Sequence, residues 1–76
     1  MWIKSKDAGL INLQTIESIS IVPKREAGDI IAISAANYSQ NGENKYIIFS
    51  GSLDECEITM AEIEATIVAK APLLEL

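Results

Sequence analysis

Residues 51–72 read G-S-L-D-E-C-E-I-T-M-A-E-I-E-A-T-I-V-A-K-A-P, and this stretch decides the fold. Its apolar residues Leu53, Cys56, Met60, Ile63 and Ile67 fall three, four, three and four positions apart. That spacing keeps them on one stripe of an α-helix. Ser52 is a good N-cap, because its hydroxyl can accept from the unpaired N–H groups of the first turn. Glu55, three residues on, completes the S-x-x-E pattern of a capping box. Asp54, Glu55 and Glu57 stand where the helix dipole favours negative charge, and Lys70 near the end where it favours positive charge. Pro72 then closes the pattern. The spacing predicts a helix over about 53–70, with Ile63 and Ile67 buried and Glu55 and Glu62 in water. Such a stripe needs a surface to cover, and residues 1–50 must supply it.

Working back from the helix, 45–50 (K-Y-I-I-F-S) reads as a strand, and Gly51 releases it into the helix. Asn41-Gly42 is a strong turn signal. Residues 30–36 (I-I-A-I-S-A-A) form the strand before it, and 24–29 a charged loop. The clearest half-buried strand is 16–22, where Ile19 and Ile21 alternate with Ser18 and Ser20. Pro23 ends it, since proline cannot donate to a ladder. Residues 10–13 and 1–5 make two short strands joined by a turn at Lys6-Asp7-Ala8-Gly9. All four glycines fall at expected turns. The tail 73–76, L-L-E-L, is oddly apolar for a terminus. Short connections favour antiparallel neighbours, because a parallel return needs a crossover of a dozen or more residues. The expectation is one α+β domain over 1–76: an antiparallel β-meander of four to five strands with a C-terminal α-helix packed on one face.

The opening M-W-I (1–3), the G-L-I-N-L segment (9–13), I-E-S-I (16–19) and the closing acidic helix resemble a set of small uncharacterised bacterial and phage proteins. That resemblance implies a small α+β domain and carries no activity with it.

A chain of 76 residues has a small core to set against the entropy of ordering it. A domain near this size buries roughly 60% of its unfolded surface. The high apolar content of 49%, with aromatic residues confined to Trp2, Tyr38, Tyr46 and Phe49, points to an aliphatic, isoleucine-rich core. The single cysteine forbids an internal disulfide and fits a reducing compartment. With no apolar run near the roughly 20 residues a membrane span needs, a cytoplasmic protein is expected.

The inventory argues against catalysis. Without histidine the chain lacks the commonest general base and the commonest zinc ligand. Cys56 lies on the apolar stripe among acids, a setting for a buried structural thiol. Asp54, Glu55 and Glu57 lack the spaced oxygen ligands of a calcium loop, and dipole compensation accounts for them. No glycine-rich phosphate loop is present. The reading assigns no catalytic, cofactor or metal residue. The net charge of −5 sits entirely in the last third. Residues 51–76 carry Asp54, Glu55, Glu57, Glu62, Glu64 and Glu75 against Lys70. Over 1–50, Asp7, Glu17, Glu26, Asp29 and Glu43 balance Lys4, Lys6, Lys24, Arg25 and Lys45. The acidic helix argues against nucleic acid as partner.

One feature asks for an interaction. The strands at 30–36 and 45–50 are apolar on both faces, where a half-solvated sheet should alternate more cleanly. With Ile19, Ile21, Ile31, Ile33, Ile47 and Phe49 taken as facing the helix, strict alternation puts Ile30, Ala32, Tyr46 and Ile48 on the opposite face, and Trp2 joins them. An apolar face of that kind marks an association site. The residues name no substrate, ligand or pathway. They support a non-enzymatic, self-associating interaction module, a homodimer through Trp2, Ile30, Ala32, Tyr46 and Ile48. The alternative is an acidic adaptor or inhibitor that docks on another, basic protein.

Overall fold

The structure, a computed structural model, describes residues 1–34 and 45–76. The Asn41-Gly42 turn and the end of the strand expected at 30–36 lie outside the described residues. The strands are β1 (Trp2–Ser5), β2 (Gly9–Asn12), β3 (Ile16–Lys24), β4 (Ala27–Ser34), β5 (Lys45–Ser52) and β6 (Leu73–Glu75), with the helix α1 (Leu53–Val68) between β5 and β6. The class is α+β, as the patterning implies. The expected single meander is instead two three-stranded sheets, ordered β2-β1-β6 and β3-β4-β5.

The division has a local cause. After β2 the chain makes one 3-10 turn, Leu13–Thr15, instead of running on into a hairpin. Asn12 caps that turn by accepting from the Gln14 N–H at 3.1 Å, and the Thr15 hydroxyl donates back to the Asn12 carbonyl at 2.8 Å. β3 therefore starts a second sheet. Only β3, β4 and β5 form the antiparallel meander. The apolar tail has the role the sequence left open: it is β6, running parallel to β1 with Trp2 beside Leu73 and Ile3 beside Leu74. The Trp2 N–H donates to the Pro72 carbonyl at 2.8 Å, and the Leu76 N–H to the Lys4 carbonyl at 2.9 Å. The whole of the second sheet and α1 lies between β1 and β6, far more than the crossover a parallel pair requires.

Several strand ends differ from expectation. Pro23 lies inside β3, opposite Gly28. β3 is an edge strand, where a missing N–H need break no ladder. The charged loop is a tight hairpin in which Lys24 pairs with Ala27 and Arg25 takes φ 52°. Gly28 and Gly51, expected in turns, stand opposite each other in β4 and β5.

The helix begins as the sequence implies. The Glu55 N–H donates to Ser52 Oγ at 3.1 Å and the Ser52 N–H to Glu55 Oε1 at 2.9 Å, a complete capping box. It ends earlier than residue 70. Lys70 takes φ 57°, its N–H donating to the Ile67 carbonyl and that of Ala71 to the Thr66 carbonyl. This is a Schellman closure with lysine in the place usually held by glycine. The buried helical residues are Cys56, Thr59 and Ile63. Ile67, expected to be buried, is 45% exposed, and Thr59 takes a buried place instead.

One core joins both sheets and the helix. It contains Ile3, Ile11 and Leu74 from the first sheet, Ile30, Ala32 and Ile48 from the second, and Cys56 and Ile63 from α1. The Ser5 hydroxyl ties the sheets by donating to the Ile48 carbonyl at 2.6 Å. If this packing holds the fold, Ile63→Ala should lower unfolding stability by about 2–5 kcal/mol. Ile58→Ala, on the exposed back of α1, should stay within about 0.5 kcal/mol of the parent. Urea melts of the two variants check this, and coincident curves would show that the core lies elsewhere.

Candidate interaction surface

The interface set expected from alternation divides in the structure. Trp2 and Tyr46 are exposed, but Ile30, Ala32 and Ile48 are buried within the chain's own core at 0%, 1% and 1% exposure. The reason is register. Ile21 pairs with Ile30 and Ile19 with Ala32, so those four share the helix-facing side. Ile31 and Ile33 pair with Ser20 and Ser18 and take the other face, the reverse of the sequence reading. In β5 the pairing shifts from Ile30–Phe49 to Ile31–Ile47, leaving Ile48 as the extra residue of a bulge. A bulge interrupts strict alternation. Ile48 is buried and Phe49 packs on the core, while Ile47 is 44% exposed. The outer face of the meander thus carries Val22, Ile31, Ile33 and Ile47 beside Ser18 and Ser20.

The first sheet divides more simply. Across its strands Ile11, Ile3 and Leu74 form one row, and all three are buried. The opposite face shows two rows: Asn12, Trp2 and Leu73, then Leu10, Lys4 and Glu75. Leu10 is 62% exposed, and Trp2 and Leu73 nearly half exposed. Trp2 and Leu73 therefore stand side by side in water, with Leu10 in the next row beside Lys4, which is itself opposed by Glu75. Sequence reasoning placed Trp2 on an interface but not its neighbours, because Leu73 reaches it only through the parallel return of β6. Tyr46 belongs to the other sheet, beside a hollow lined by Asp7, Lys45 and Ile47.

The polar groups are mostly accounted for by structure. Asp29 accepts from Lys24 Nζ at 2.6 Å and from Ser50 Oγ at 2.8 Å. The hydrogen bond from Lys24, then that from Ser50, holds its carboxyl below the usual carboxylate range. Glu55 is likewise lowered, first by the Ser52 backbone N–H and then by the Ser52 hydroxyl. Cys56 is fully buried. Burial pushes its thiol upward, the charges of Asp29 and Glu55 push it further, and a backbone hydrogen bond at Gly51 opposes them. These are the surroundings of an inert thiol. Among the described residues no three His, Cys, Asp or Glu side chains gather to hold a metal ion. The lysines of residues 1–50 form no basic patch: Lys4 faces Glu75, Lys24 bonds Asp29, and Lys6 and Lys45 flank hollows shared with Asp7. Among the described residues no helix is long and apolar enough to cross a membrane.

No protein-family model, curated protein or solved structure matches this chain.

Two outcomes follow from the polar groups. A carboxylate whose folded-state pKa is lowered adds stability above its unfolded pKa, near 4, and that stability is lost as pH falls through the lowered value. The parent's melting temperature should therefore fall on acidification below about pH 4, and Asp29→Asn should show a shallower fall. An unchanged slope would remove Asp29 from the account. Cys56 should react slowly with a thiol reagent in native buffer and rapidly in denaturant; fast native labelling would contradict its burial.

Proposed function

We propose that the protein is a small non-enzymatic interaction module that pairs with a second copy of itself through the outer face of β2-β1-β6. The observation that carries this reading is the exposed cluster of Trp2, Leu10 and Leu73. Contiguous apolar surface of this kind marks association sites, and tryptophan is enriched among the residues that dominate interface energy. The charges beside the cluster favour a like partner. Lys4 and Glu75 stand opposite each other, so a two-fold operation can set Lys4 of each copy against Glu75 of the other. The sheet-face homodimer inferred from sequence is kept, while its residues change: Trp2 remains and Leu10 and Leu73 replace the buried set. A contact this small belongs with weak, transient interfaces. A lone buried thiol and the absence of histidine from the sequence support a non-catalytic role and a reducing compartment such as the cytoplasm.

Size-exclusion chromatography with light scattering tests the reading. The parent should show a concentration-dependent dimer in the high micromolar range. Leu10→Lys with Leu73→Lys should remain folded by circular dichroism and run as a monomer. A parent that is monomeric throughout that range overturns the proposal, as does a double variant that still dimerises.

A further inference from the structure

A second surface, apart from the terminal strands, has the makings of a peptide site. Between α1 and the start of β3 runs a groove of about 410 Å³, within the size range of ligand clefts. Met60, Ile63 and Ile67 form its helical wall and Ile16 and Ile19 its strand wall, with Leu13 lining it as well. Its charged lining residues are Glu17 on the strand side and Glu64 on the helix side, both exposed. The groove is therefore apolar at its base and negative on both rims. A neighbouring hollow shares Leu13 and Ile67 with the groove and reaches Lys70.

Ile67 explains why the groove exists. It continues the helical stripe of Cys56, Met60 and Ile63, yet it is left 45% exposed. Helix stripes are apolar where they meet a surface. Here the stripe extends past the sheet that covers its first part.

We propose that this groove binds a protein segment that inserts large apolar side chains between α1 and β3 and sets flanking lysines or arginines against Glu17 and Glu64. Charge complementarity selects that occupant: an acidic segment would meet like charge on both rims, and a neutral polar one would leave the apolar base uncovered. Pairing through the outer face of β2-β1-β6 is independent of this site, so either can fail without the other.

The probe is a short fluorescein-labelled leucine–lysine peptide, read by anisotropy on the full chain, with amide NMR shifts to locate it. It should bind saturably and shift Ile16, Ile19, Met60 and Ile67. A serine–lysine peptide and a leucine–glutamate peptide should not saturate. Glu17→Lys with Glu64→Lys, both at exposed positions, should weaken binding by about tenfold or more, as two attractive rim charges become repulsive. Asp7→Lys with Glu26→Lys makes the same change of net charge away from the groove and should alter affinity by less than about twofold. Equal losses in the two double variants would mean that the peptide reads only the overall charge, and would overturn the proposal. Shifts centred on Trp2, Leu10 and Leu73, or no saturation up to about millimolar peptide, would overturn it as well.

Discussion

The helix can rest on the meander because Gly28 has no side chain. A Cβ at that position would lie 3.0 Å from Leu53 Cδ2 and 3.3 Å from Cys56 Sγ, a tight fit that would make those side chains give way. The first turn of α1 therefore settles almost on the backbone of β4. The capping box holds that turn in place, because Ser52 is at once the last residue of β5 and the N-cap of α1. Strand and helix are joined without a loop, so the direction of β5 and the close approach at Gly28 together set where the helical stripe falls. Cys56 is sealed under it, and Ile63 reaches the core two turns later. The raised thiol pKa of Cys56 follows from this crossing, since burial is its main cause.

The second constraint is the return of the chain to its own start. β6 runs parallel to β1, and Leu74 completes the row with Ile3 and Ile11 that seals the core on that side. A domain of this size gains from every buried apolar residue, because its surface is large relative to its volume. Pairing the two ends of the chain also fixes which residues stay outside. Alternation along β1 and β6 that buries Ile3 and Leu74 must expose Trp2 and Leu73 on the opposite face. The exposed cluster is the other side of the packing that stabilises the first sheet.

The terminal sheet and the groove beside α1 differ in the charge that accompanies their apolar residues. The terminal sheet offers an apolar cluster with balanced charges, suited to a like partner. The groove between α1 and β3 offers an apolar base between acids, suited to a cationic one. The polar clusters elsewhere serve local ends: Asp29 ties the β3–β4 hairpin to β5 through Lys24 and Ser50, and Glu55 closes the helix start.

The elements whose cause is local could be read from residues alone. The helix start follows from Ser52 and Glu55, its buried side from the spacing of Cys56 and Ile63, and the half-buried side of β3 from Ile19 and Ile21. The burial of Cys56 and the presence of Trp2 on an outer face were legible for the same reason. What only the tertiary structure decided depends on contacts between distant residues. Pairing Leu74 with Ile3 spans nearly the whole chain, and no local pattern in L-L-E-L announces it. The bulge at Ile48 and the pairing of Ile21 with Ile30 decide which isoleucines are inside, and a shift of one residue reverses a strand's two faces. Because β4 and β5 are apolar on both faces, their sequence carries no alternation from which that choice could be read. The sequence thus determined that these strands must be covered, and the register of their neighbours determined on which side.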